Sequence, residues 1–245
     1  LIAGLVASLS LLPVVGSAGL AMRNSVRDFQ NLPADLTDVP LPQRNIMTDI
    51  HGEQIAVLYA QDRIEVPLEK ISPLMQQALI SIEDQRFLQH NGIDIRGTLR
   101  ALVSTSSGSQ VQGGSTITQQ YVKQILLTAA TTKEEQSAAT AVSIARKIRE
   151  ARYAIGIENK LSKKQILEGY LNIAYFGAGA YGVEAAALRY FSKHANQLTL
   201  VEAATLAGVV QQPVAYDPLR NPKSSQKRRI QVLNRMAELG YISQE

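Results

Sequence analysis

The segment that most constrains this chain is its first. "LIAGLVASLSLLPVVGSAGLAM", residues 1–22, carries no charge. As a helix it is long enough to cross a hydrocarbon core of ~30 Å, and it predicts a transmembrane anchor. A secretory signal peptide is the competing reading, favoured by the small residues of "GSAGLAM", but the apolar region of such a peptide spans only about 7–15 residues. Only one flank, with Arg23 and Arg27, is present, so the excess of positive charge does not orient the segment. Residues 23–45, with Pro33, Pro40 and Pro42, then read as an extended linker that lifts the remainder of the chain off a membrane.

The chain of 245 residues can hold one large domain or two small ones. It contains no internal repeat. With 45% hydrophobic and 5% aromatic residues, the composition favours a mainly helical protein. "NIMTDIHGEQIAVLYAQDRIEVPL" predicts a short β-hairpin turning at His51-Gly52. From Ser72 onward the pattern is helical. Ser72 as N-cap and Pro73 at the first helical position start a helix whose apolar face is Met75, Ala78, Leu79 and Ile82, with a stop at Asn91-Gly92. Thr116 with Gln119, Ser162 with Gln165, and Thr199 with Glu202 are capping boxes. "SSGSQVQGG", residues 106–114, is a linker or a loop that moves over a site. A last helix starts near Pro222 and ends at Gly240, so residues 46–240 read as one domain. The absence of Cys excludes disulfides and thiolate catalysis, and three scattered His argue against a transition-metal site. A net charge of +4 suits an anionic substrate or lipid surface and is too weak to imply nucleic acid.

Several segments place chemistry-bearing residues where packing alone does not ask for them. Continuing the i+4 row from Leu79 reaches Glu83 and then Phe87, so a carboxylate interrupts an apolar stripe, an expensive position for a charge. Asp84, Phe87 and His90 form a second row beside it. An amphipathic helix with a surface acid pair and a capping histidine is the plainer alternative. "GGSTITQQYVKQ", residues 113–124, joins two glycines to a helix N-terminus, an arrangement suited to an anion. Thr116, Gln119, Gln120 and Lys123 share one face of that helix, and Ile117, Tyr121 and Ile125 share the other. A capped helix with a solvated face fits equally well. In "IARKIREARYAI", Arg146, Lys147 and Glu150 have the spacing of a surface ion pair, with Ile144, Ile148 and Ile155 on the apolar side. Glu168, Tyr170 and Asn172, ahead of Gly177, Gly179 and Gly182, read as architecture, as does "QQPVAYDP" at 211–218. Ser224 and Lys227 have an S-x-x-K spacing, but no S-D-N or K-T-G accompanies it.

In order along the chain, five blocks resemble the glycosyltransferase domain of class A penicillin-binding proteins and of the monofunctional peptidoglycan glycosyltransferases, glycosyltransferase family 51. These are Glu83 to Gly92 as E-D-x-x-F-x-x-H-x-G, Gly113 to Lys123 as G-G-S-T-I-T-Q-Q-x-x-K, Arg146 to Glu150 as R-K-x-x-E, the Tyr170-Leu171-Asn172 block, and the turn near Tyr216. Gln124 departs from the family pattern, which commonly has Asn there. The resemblance implies a mainly α fold: a lysozyme-like head with a smaller membrane-proximal lobe and a short hairpin, preceded by a transmembrane helix. It also implies an inverting enzyme of cell-wall synthesis that polymerises lipid II into β-1,4-linked glycan and releases undecaprenyl pyrophosphate.

On that resemblance Glu83 is the general base, its pKa raised by desolvation towards working pH. Asp84 and His90 organise its helix end, and Phe87 packs behind it. Lys123, Arg146 and Lys147, with the helix N-terminus at Ser115 and Thr116, bind the leaving pyrophosphate. Gly114, Gln119, Gln120, Gln124, Tyr170 and Asn172 complete the expected substrate contacts. Glu150 is the second essential acid and either orients the cations or holds a divalent cation, Mg²⁺ or Mn²⁺; no organic cofactor is implied. The expected partners are lipid II, the lipid-linked glycan chain, the membrane and cell-wall synthesis proteins, without nucleic acid. The expected location is the cytoplasmic membrane, single-pass, with the catalytic domain on the extracytoplasmic side. Two rivals are a lysozyme-like lytic enzyme, which would use one Glu as general acid and need no cationic pyrophosphate site, and a membrane-anchored basic binding module.

Overall fold

The computed structural model describes residues 40–97, 114–141 and 143–243. The predicted anchor at residues 1–22, the linker up to residue 39 and the Ser/Gly stretch up to residue 113 lie outside the described residues. Among the described residues no helix is long and apolar enough to cross a membrane.

The architecture is mainly helical with two very small sheets. Strands β1 (Asn45–Thr48) and β2 (Gln54–Leu58) pair antiparallel across the His51-Gly52 turn, the hairpin expected from the alternating pattern. Strands β3 (Asp62–Arg63) and β4 (Ala180–Tyr181) pair in parallel, a contact across more than a hundred residues that no local pattern announces. The helices are α1 (Pro73–Glu83), α2 (Ile117–Ala129), α3 (Lys133–Thr140), α4 (Ile144–Glu158), α5 (Lys163–Ile173), α6 (Val183–Phe191), α7 (Leu200–Val209) and α8 (Pro222–Glu238). Helices α1, α7 and α8 pack on one another, and α2 packs on α4 and α5. The shared core takes in Met75, Leu79, Ile117, Leu171, Leu206 and Met236, all fully buried. Each such side chain contributes about 1.5–3 kcal/mol by leaving water.

All three predicted capping boxes form, and a fourth, Thr132 with Glu135, starts α3. Ser72 occupies the N-cap of α1, but its hydroxyl donates to Leu198 O at 3.2 Å instead of capping. More consequential is where α1 stops. The expected run to Asn91-Gly92 breaks at Glu83, because Asp84 leaves helical geometry (φ −158°, ψ 75°) while its N–H still bonds to Ile80 O. Phe87–Gln89 form only a single 3-10 turn. The chain then passes Gly92 at φ +81°, where an added Cβ would lie 2.7 Å from the carbonyl carbon of Ala154. Only glycine lets this loop lie flat against the backbone of α4.

The buried face of α4 also differs from the one its isoleucines suggest. Ile148 and Ile155 are exposed, and Glu150, Tyr153, Ala154 and Ile157 face the core. The helix is rotated so that a carboxylate, Glu150, lies on its buried stripe.

Candidate active site

Glu83 closes α1 with its side chain only 8% exposed. Gln120, on the second turn of α2, donates from Nε2 to Glu83 Oε2 at 2.8 Å. Tyr170 of α5 donates its hydroxyl proton to the same amide's Oε1, also at 2.8 Å. The other carboxylate oxygen, Glu83 Oε1, is buried with no hydrogen-bond partner among the described residues. It faces the guanidinium of Arg228, 3.8 Å away on α8. Burial raises the Glu83 pKa above the ordinary carboxylate value; the Gln120 hydrogen bond and the Arg228 charge oppose the rise, and the Asp84 charge adds to it. Burial also lowers the Arg228 pKa, against the charges of Glu83 and Tyr216, and drives the Tyr170 hydroxyl well above its usual range. The carboxylate is thus desolvated, held through one oxygen and without a hydrogen bond at the other among the described residues.

Asp84, its neighbour, is as deeply buried but has hydrogen-bond partners at both oxygens. It is buried, accepts the N–H of Ile117 at 3.0 Å through Oδ2, and has His90 Nε2 2.9 Å from both of its oxygens. A carboxylate at the first turn of a helix is held by the free N–H groups and the dipole there. Asp84 therefore ties the end of α1 to the start of α2, and the pull of that bond is the physical reason that α1 does not continue. Phe87 is fully buried, edge-on to the His90 ring at 6.4 Å and under the Lys163 ammonium, 4.5 Å from the ring centre.

The start of α2 is accordingly less open than the sequence implies. Thr116 and Gln119 close a capping box, the Thr116 hydroxyl donates to Gly92 O at 2.7 Å, and Ile117 N–H is taken by Asp84. The N–H groups of Thr116, Ile117 and Gln119 are spent internally. What this helix end presents is the Ser115 hydroxyl and nearby cationic groups, the Lys147 ammonium and the Arg146 guanidinium, rather than a bare row of amides.

Those groups come together from α4. Lys147 Nζ donates to Ser115 Oγ at 2.7 Å and lies 3.3 Å from Glu150 Oε2. Arg146 Nη1 bonds to Glu150 Oε1, and its Nε bonds to Ala141 O. Glu150 is 1% exposed and holds two cations at the surface from beneath. Lys123 lies one turn beyond Gln120 on α2, half-buried and without a hydrogen-bond or ion-pair partner among the described residues. Gln124 is half-buried beside it, and Gly114 is exposed at the edge of the described residues.

Asn172 does not join this constellation. Two residues from Tyr170, it lies on the other side of α5. Its amide donates to Val66 O at 2.9 Å and accepts Val66 N–H at 3.1 Å, and its carbonyl accepts from the buried Arg63 at 3.1 Å. Asn172 anchors the extended segment before α1. Arg228, in contrast, is a site residue that the sequence pattern hides within a basic run. A signal for it existed: Ser225, Val232 and Met236 are the buried residues of α8, and Arg228 falls on their row at i+3, i−4 and i−8.

As to a metal, both Glu150 oxygens are engaged by cations, and no cluster of three or more His, Asp or Glu occurs among the described residues. The described side chains do not make a divalent-cation site.

Residues 51–237 match the family model described as "Transglycosylase". The chain is 42% identical over 220 residues to penicillin-binding protein 1A of Aquifex aeolicus, covering 89% of this chain and 29% of that protein. It is 42% identical over 213 residues to penicillin-binding protein 1A of Escherichia coli, covering 86% of this chain and 24% of the relative. A crystal structure of penicillin-binding protein 1A from Haemophilus influenzae aligns with a TM-score of 0.43 and 23% identity over 85% of this chain and 20% of that one. The chain spans less than a third of the length of the curated relatives it matches. With the family model covering most of its length and these identities beside it, the chain belongs to the transglycosylase family, the peptidoglycan glycosyltransferase domain of class A penicillin-binding proteins.

Proposed function

We propose that the chain lengthens glycan strands from lipid II, with Glu83 as general base. The 4-hydroxyl of the incoming lipid II sugar passes its proton to Glu83 Oε1 as its oxygen attacks the anomeric carbon of the growing strand. The bond to the lipid pyrophosphate breaks, the configuration inverts, and a β-1,4 linkage results. The leaving group departs as an anion, so it needs positive charge rather than a proton, and Lys123, Arg146 and Lys147 supply that charge. Glu150 acts from below, fixing Arg146 and Lys147 where the pyrophosphate collects. The observation that carries the reading is the state of Glu83: desolvated, and with one oxygen free of hydrogen bonds among the described residues. Gln120 holds the base, and Lys123, one turn on at a Cβ separation of about 5–6 Å, faces the same side. In this reading residues 1–22 anchor a lysozyme-like head and its smaller lobe at the outer face of the cytoplasmic membrane.

A raised carboxyl pKa would also suit the acid of a lytic enzyme, and the direction of the reaction separates the two. Conversion of labelled lipid II in detergent is followed for the wild-type chain, Glu83→Gln and Lys123→Ala. Growth of long glycan by wild type, its loss in Glu83→Gln with lipid II binding retained, and weaker turnover in Lys123→Ala are expected. Polymerisation by Glu83→Gln at a comparable rate, or shortening of added glycan by wild type, overturns the reading.

A further inference from the structure

Three groups on three helices, Tyr170 fully buried and Gln120 and Glu83 partly so, form one chain of hydrogen bonds, and its direction is fixed at one end. The Tyr170 hydroxyl is 2% exposed as a residue and donates to Gln120 Oε1 at 2.8 Å. With that oxygen occupied, the amide presents Nε2 to Glu83 Oε2, also at 2.8 Å. Turning the amide over would set its oxygen against the carboxylate, acceptor to acceptor, and would leave the buried phenolic proton without its acceptor. The geometry points to Tyr170 as a positioning residue: its proton locks the Gln120 amide, which ties down Glu83 Oε2 and leaves Oε1 as the oxygen that receives the acceptor hydroxyl's proton.

This assignment rests on Glu83 as the base, and it takes Gln120 and Tyr170 out of direct contact with substrate. The groups that face Glu83 are Gln120 from α2, Arg228 from α8, Asp84 next to it in the chain, and Tyr170 behind the amide. Neither Arg228 nor Asp84 discriminates between the two orientations of the amide by a hydrogen bond, since neither is bonded to it. Among the described residues the lock is therefore Tyr170. Tyr170→Phe keeps the ring in the core and removes only the proton donor. The amide then samples both orientations, the carboxylate loses its constant donor, and Glu83 holds its proton to higher pH.

The test is the pH dependence of lipid II polymerisation by the full chain. For Tyr170→Phe, kcat falls on the order of tenfold with KM for lipid II unchanged, and the acid limb of the kcat/KM profile moves to higher pH. Gln120→Met gives the same displacement, and adding Tyr170→Phe to it costs nothing further, since the two act as one unit. Should Tyr170→Phe fail to fold, as judged by its thermal transition, Tyr170→Met, which also lacks the hydroxyl, takes its place. An acid limb that stays at the wild-type pH in the folded variants, or costs that multiply in the double variant, overturns the assignment. Glu83→Gln run alongside keeps two failures apart: an active Glu83→Gln removes the base itself, whereas an inactive one beside an unmoved acid limb removes only the role of Tyr170.

Discussion

At the scale of single residues, Glu83 and Asp84 show how two adjacent carboxylates acquire different work from their surroundings. Asp84 has a backbone N–H and an imidazole; Glu83 has one amide donor, a cation at 3.8 Å, and otherwise a dry wall. A group whose native pKa lies above its unfolded value binds protons more tightly when folded, so stability falls as pH rises through that window. For Glu83, whose pKa is raised, the window opens at the ordinary carboxylate value, and the ionised side chain costs stability at neutral pH. Glu83→Gln should therefore raise the thermal midpoint at pH 7.5 by about 2–4 °C, corresponding to about 1 kcal/mol, while polymerisation is lost. Thermal melts across pH check this: the advantage should shrink as the buffer approaches pH 4. Asp84→Ala should act in the reverse sense, costing about 1–3 kcal/mol because Ile117 N–H and His90 lose their shared acceptor. Denaturant unfolding measures that loss.

The elements follow a common pattern in which a charged residue lies on a buried stripe. Glu83 on α1, Glu150 on α4 and Arg228 on α8 all occupy rows whose other members are core residues. Each helix is oriented by its apolar neighbours, and that orientation carries the charge inward. Arg228→Met should keep α8 packed while removing the cation beside Glu83 Oε1. The Glu83 pKa then rises further, and the acid limb of polymerisation moves to higher pH than in wild type, read from the kcat/KM profile. Asn172→Ala tests the other side of α5. It should lower stability by about 1–3 kcal/mol through the lost bonds to Val66, leaving kcat per folded molecule near the wild-type value. Unfolding and turnover measured on one preparation separate the two effects.

On the scale of the whole molecule, the site exists because α1, α2, α5 and α8 converge, and the packing of α7 against α1 and α8 holds Arg228 opposite Glu83. Leu206→Ala, a cavity in the middle of α7, should cost about 2–5 kcal/mol and lower the thermal midpoint on the order of 10 °C, as calorimetry would record. Much of this arrangement was legible in the chain. The hairpin, the starts of α2, α5 and α7 and the last helix follow from turn chemistry, capping and periodicity, which are local and act within a few residues, whereas the candidates Glu83, Lys123, Arg146, Lys147 and Glu150 come from the ordered motifs of the family resemblance. The early end of α1, the rotated face of α4, the use of the α2 N-terminus by Asp84, the anchoring duty of Asn172 and the approach of Arg228 to Glu83 were not legible. Each depends on a partner far along the sequence, where a hydrogen bond or a packed neighbour outweighs helix propensity worth a few tenths of a kcal/mol per residue. Sequence by itself determined where the hairpin and most of the helices begin and which motifs carry the family resemblance. Only the tertiary structure decided which of two buried carboxylates is bound to backbone and imidazole and which keeps an oxygen without a hydrogen bond, because those partners come from segments far apart in the chain.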